Sequence, residues 1–173
     1  KRIVKDGTSP STSLGTRVVG VEAGGEFLSA DYVVLAAGVW SRDLGKTIGL
    51  DIPILNKRKF ILSIDGFAFD YPVIMEIPTG WYIKKEGKLA LTVMSGKEDG
   101  RVCDLESECT EQTVAASLKR FPETQKSGIR RVINSLSDET PDKHAVIDNS
   151  IPGLIITTGF SGHGFMHSPA VWH

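Results

Sequence analysis

The run Leu154-Ile155-Ile156-Thr157-Thr158-Gly159-Phe160-Ser161-Gly162-His163-Gly164-Phe165 decides how the chain is read. Its unbroken apolar and β-branched start suits a strand covered on both faces, as in a parallel sheet. The strand runs directly into three glycines interleaved with larger residues. There the backbone can take positive φ and a ligand can lie against it. A helix opening near Phe165 would turn its free N–H groups toward an anionic ligand. From the residues alone, a ligand site and a structural glycine turn both stay open.

A second apolar run, Tyr32-Val33-Val34-Leu35-Ala36-Ala37-Gly38, has the same character and also ends on glycine. Ser41 is the expected N-cap of a short helix after it, with Leu44 and Ile48 on one face and Gly49 as the stop. Strand ends of this kind are where ligands approach an α/β sheet. The segments around these runs read differently. Residues 1–32 resemble a small antiparallel meander, with strand-like Thr16–Glu22 and a turn at Ala23-Gly24-Gly25-Glu26. Residues 8–15 read as a mobile polar loop. Four strands are expected at 60–64, 73–77, 81–84 and 89–93, separated by Gly- and Pro-containing turns. Residues 96–109 are polar. Thr110-Glu111 opens a helix carrying Val114, Leu118 and Phe121 on one face and ending at Pro122. Ile129–Ile133 returns to strand. The fold class is therefore α+β, a mixture of helices with parallel and antiparallel strands.

Composition narrows the function classes. The 173 residues are 40% hydrophobic and 24% charged, with a formal charge of -1, as in an ordinary globular chain. With no basic field, nucleic acid is not an expected partner. No apolar run approaches the roughly 20 residues of a membrane span. The first residues, Lys1-Arg2-Ile3-Val4-Lys5-Asp6-Gly7, lack the apolar core of a signal peptide. With no initiator Met, the chain is expected to start inside a longer gene product. Cys103 and Cys109 have neither the number of a disulfide framework nor zinc-knuckle spacing. They read as free thiols in a reducing cytoplasm.

The segment Ala30–Ser41 resembles the flavin-dependent amine oxidoreductases of the D-amino-acid oxidase superfamily, of the sarcosine oxidase and glycine oxidase type. The resemblance continues in order through Gly49-Leu50-Asp51-Ile52-Pro53-Ile54 with Arg58, through Thr140-Pro141-Asp142-Lys143-His144, and through Gly159–Phe165. It implies a partial FAD-binding domain made of residues 1–50 and 136–173. Residues 51–135 would form an antiparallel-sheet substrate domain. The implied activity is oxidation of the C–N bond of a small amine or amino acid by hydride transfer to FAD. By carry-over, Ala37, Gly38 and Trp40 lie along the FAD-binding strand end. Thr140, Asp142, Gly159, Ser161, Gly162, His163, Gly164 and Phe165 surround the flavin ring. Arg58, Tyr82 and Met166 fall at substrate-binding positions.

The sequence also departs from the family. It has no G-x-G-x-x-G between a strand and a helix, so most of the dinucleotide cradle lies outside it. Ser135 stands where sarcosine oxidase carries its flavin-linking Cys, so FAD would be held non-covalently. Met166 replaces a carboxylate-binding Lys, and in an ungapped reading Leu89 falls at the oxygen-activating Lys, with Lys88 adjacent and restored to that place by a one-residue shift. Substrate identity and electron acceptor are therefore open. The competing reading is a non-catalytic binding or assembly subunit that keeps the fold without FAD, with a partner chain or self-association. Other groups have plainer readings. His163 and His167 stand at metal-ligand spacing but have no acidic companion. Ser161 is not in a hydrolase elbow. Trp81-Tyr82 suits either a pocket wall or the core.

Overall fold

The structure is a computed structural model and describes residues 1–6, 17–94 and 106–171. The expected loop at 8–15 and most of the polar stretch 96–109 fall outside the described residues. The chain divides into two units, Lys1–Asn56 with Ser137–His173, and Lys57–Leu136. Residues 51–56, expected with the antiparallel sheet, belong to the first unit. The reason is packing: Ile52 and Ile54 are buried in its core with Ile3, Val18, Leu35, Leu154 and Ile156.

In the first unit, β1 (Arg2–Lys5), β2 (Val18–Ala23) and β3 (Glu26–Ser29) form an antiparallel meander. A second sheet has the order β10 (Val146–Asp148), β11 (Leu154–Thr158), β4 (Val33–Leu35). Here β4 and β11 run parallel, in the register Leu154↔Val33, Ile155↔Val34, Ile156↔Leu35. Strand alternation sends Leu35, Leu154 and Ile156 into the core. It leaves Val34, Ile155 and Ile147 57%, 38% and 60% exposed on the other side. The expectation of strands covered on both faces is thus corrected: the described residues cover one face only. After β4 the chain makes a short 3-10 turn, Gly38–Trp40, and then α1 (Ser41–Lys46). Trp40 takes the cap position without a side-chain bond, because the Ser41 hydroxyl is engaged elsewhere. Leu44 and Ile48 pack on the core as expected.

The second sheet unit has the order β6 (Ile74–Glu76), β7 (Trp81–Glu86), β8 (Leu89–Met94), β5 (Leu55–Asp65), β9 (Gly128–Glu139). One face is closed by α2 (Glu106–Arg120), which packs Ala116 over Leu62, Ile64, Trp81 and Ile83. The Trp81 indole N–H donates to Ser117 Oγ at 3.1 Å, and the Arg120 guanidinium lies 4.7 Å over the indole ring. Arg120 also pairs with Glu76. Helix α2 begins before the expected Thr110 because Glu106 and Glu108 in its first turn suit the positive end of the helix dipole. It ends before Pro122, which cannot continue it. Strand β9 outruns the expected Ile129–Ile133, since its polar second half has no apolar pattern to mark it.

The thiol expectation is also corrected. Cys103 lies outside the described residues, while Cys109, 5% exposed, is disulfide-bonded. The cytoplasmic expectation rested on free thiols and loses that support. Among the described residues no helix is long and apolar enough to cross a membrane.

Candidate functional site

The ends of the parallel strands β4 and β11 meet. Thr158 Oγ1 donates to Ser41 Oγ at 2.8 Å, and Ser41 and Thr158 are both almost fully buried. This bond joins residues 117 apart in the chain and brings the two glycine turns side by side. A cavity of about 610 Å³ opens beside them, with Gly38, Thr158, Phe160 and Gly164 at the strand ends. Val34, Ile147 and Ile155 form its apolar floor.

The turn between β11 and α3 (Gly164–Val171) is tightly specified. Gly159 has φ +70°, and a Cβ there would lie 2.7 Å from Thr140 Cγ2 and 2.8 Å from Ile54 Cδ1. Only glycine fits. Gly162 has φ +91°, yet nothing stands within 4 Å of where its Cβ would be. Its need is conformational, and the space beside it is open to a ligand. Ser161 adopts φ +53°, unusual for a residue with a side chain. Its hydroxyl accepts the Thr140 N–H at 3.2 Å, which ties the turn to the end of β9. Thr140, buried, donates its own hydroxyl to the His144 carbonyl at 2.7 Å.

The other expected cofactor residues are placed as follows. Ala37 packs against the core of the first unit. Trp40 and Phe165 are 68% and 98% exposed. Asp142 is also exposed and accepts the His144 N–H at 3.1 Å, which shapes a turn. That N–H holds the Asp142 carboxyl below the usual carboxylate range. The rings of His163 and His167 stack 6.0 Å apart. Among the described residues no group of three or more metal-ligating side chains exists. Met166 is exposed on α3.

In the second unit, Tyr82 pairs across the sheet with Val93 and Met75. Trp81 points to the α2 side, so alternation places Tyr82 on the other face. Partial burial pushes its phenol above the ordinary tyrosine value. Arg58 is exposed and donates to Asn134 Oδ1 at 3.1 Å. It shares strand parity with Phe60 and Leu62, whereas Tyr82 lies on the opposite face of the same sheet. The structure therefore does not bring Arg58 and Tyr82 together.

Asp138, near the end of β9, went unmarked in the sequence. Its Oδ2 accepts the Gly159 N–H at 2.9 Å, and its side chain lines the cavity. The available signal was a charged residue two positions before Thr140-Pro141-Asp142, at a strand end.

The match to the family model described as DAO, FAD dependent oxidoreductase, spans residues 8–171. The chain belongs to this family. It is 25% identical over 175 residues to 4-methylaminobutanoate oxidase (formaldehyde-forming) of Paenarthrobacter nicotinovorans, covering 91% of this chain and 21% of that protein. To monomeric sarcosine oxidase of Bacillus sp. (strain B-0618) it is 25% identical over 171 residues, covering 88% and 44%. L-proline dehydrogenase from P. horikoshii superposes with a TM-score of 0.78 at 20% identity, covering 90% and 44%. The chain thus spans less than half of the length of each of these relatives.

The cavity fits what the family's cofactor requires at its ring end. The walls are apolar, and left-handed glycine backbone leaves open space where a Cβ would otherwise stand. FAD is the cofactor of this family of oxidoreductases, and Gly38, Phe160 and Gly164 line the cavity.

Proposed function

We propose that the protein oxidises the C–N bond of a small amine or amino acid, of the sarcosine or glycine kind, with FAD as the bound hydride acceptor. One observation carries the reading: the glycine-bearing ends of β4 and β11 line a single apolar cavity. Gly38, Gly164 and the Gly159–Gly162 turn would hold the flavin ring. Bound FAD supplies the two-electron chemistry. The chain's own residues orient and enclose. Ser161 and Thr140 fix the turn by their mutual hydrogen bond, and the flavin ring would cover the apolar floor. Attachment of FAD is non-covalent at position 135, because Ser135 offers no thiol.

The test is reconstitution of the complete protein with FAD, followed by anaerobic mixing with sarcosine, glycine and L-proline. Bleaching of the flavin absorption by at least one of them supports the activity. A colourless protein that takes up no FAD would sink it. The bare sheet face at Val34, Ile147 and Ile155 favours a second reading, a subunit that uses this surface for assembly. That reading predicts a stable partner chain on co-purification and no flavin.

A further inference from the structure

Asp138 holds the glycine turn by two bonds. Its carboxylate accepts the Gly159 N–H at 2.9 Å, and its main-chain carbonyl accepts the Ser161 N–H at 3.2 Å. The same side chain forms part of the cavity wall. Every other described residue lining that cavity is neutral, and no Lys, Arg or His is among them. The second carboxylate oxygen, Oδ1, has no donor among the described residues.

This is a chemical constraint on the occupant. An ionised carboxylate accepts up to about four hydrogen bonds, and here the protein supplies one. A molecule filling the cavity displaces water from the remaining oxygen. A charge covered in that way is costly unless the covering group donates to it. Whatever lies against Asp138 must therefore offer an O–H or N–H, and an anionic group is repelled.

We propose that Asp138 is a positioning residue for the cofactor. It accepts a hydrogen bond from a hydroxyl or ring N–H of FAD, directs the phosphates away from this end of the cavity, and disfavours the build-up of negative charge on the flavin. The proposal rests on the FAD reading above.

The test uses the complete protein reconstituted with FAD, in the wild type and in the variants Asp138→Asn and Asp138→Ala. Three quantities are read: the melting temperature of the apoprotein, the Kd for oxidised FAD, and the flavin midpoint potential. Asn keeps an oxygen for the Gly159 N–H and removes only the charge. Asp138→Asn is expected to melt with the wild type and to bind oxidised FAD about tenfold more weakly, the loss expected when a hydrogen bond to a charged group goes. Its reduced flavin should be favoured about tenfold relative to oxidised, a rise of about 30 mV for a two-electron couple. Asp138→Ala also orphans the Gly159 N–H and should melt lower. If Asp138→Asn leaves either Kd or potential unchanged, or melts as low as Asp138→Ala, the residue is a loop clamp and the proposal falls. Failure of the wild type to take up FAD at all would instead bring down the FAD reading itself, before any variant is compared.

Discussion

Two of the three sheets among the described residues, β10-β11-β4 and β6-β7-β8-β5-β9, carry similar apolar strands and meet different fates. In the second unit, α2 closes the sheet, and Leu62, Trp81 and Ile83 are fully buried beneath it. In the first unit, the meander closes one face of β10-β11-β4, while Val34, Ile147 and Ile155 stay in solvent on the other. A parallel sheet is normally covered on both faces. The contrast teaches that continuous apolarity marks a strand without telling how many of its faces are covered.

The largest effects should separate the two sheets. Trp81→Ala removes the indole, its bond to Ser117 and its stacking with Arg120, and should destabilise the second unit by about 3–5 kcal/mol in denaturant titration followed by circular dichroism. Ile155→Thr, on the open face, should stay within about 0.5 kcal/mol while lowering the binding of a hydrophobic dye. Equal losses at the two sites would show that the open face is covered in solution.

A smaller difference is expected within the glycine turn. Gly162→Ala meets no atom and should cost about 1–2 kcal/mol for the left-handed backbone alone. Gly159→Ala adds a clash with Thr140 and Ile54, worth about 1–3 kcal/mol more. A common cost for both, measured by the same titration, would mean that the turn relaxes around the added methyl.

The smallest effect concerns Tyr82. Burial raises its phenol, so its ionisation should come last as tyrosine absorbance is followed to high pH. Tyr82→Phe should delete that final phase. Loss of an earlier phase would place Tyr82 in solvent.

Much of this architecture was legible in the chain. Leu154–Thr158 declared itself by continuous apolarity, and the strand occupies those residues. The helix carrying Val114 and Leu118 was marked by its spacing and by Pro122. Strand β10 was not legible, because Val146–Asp148 is only three residues long and follows a polar turn. Nor was the first turn of α2, whose residues are polar. At the site, the glycines stood out because positive φ restricts residue choice. The hydroxyl pair Ser41–Thr158 and the carboxylate of Asp138 did not, because small polar residues reveal their partners only once distant strands have met. Ser41 illustrates the point: local pattern made it a helix cap, and tertiary structure gave its hydroxyl to Thr158.

The parallel pairing of β4 with β11 also sets an order of assembly during synthesis. Everything the second unit needs, Lys57–Leu136, is contiguous and leaves the ribosome before Leu154. It can mature while β4, already made, waits for its neighbour. The cavity at the strand ends thus forms only after the second unit has been made, when β11 threads in beside a strand translated long before.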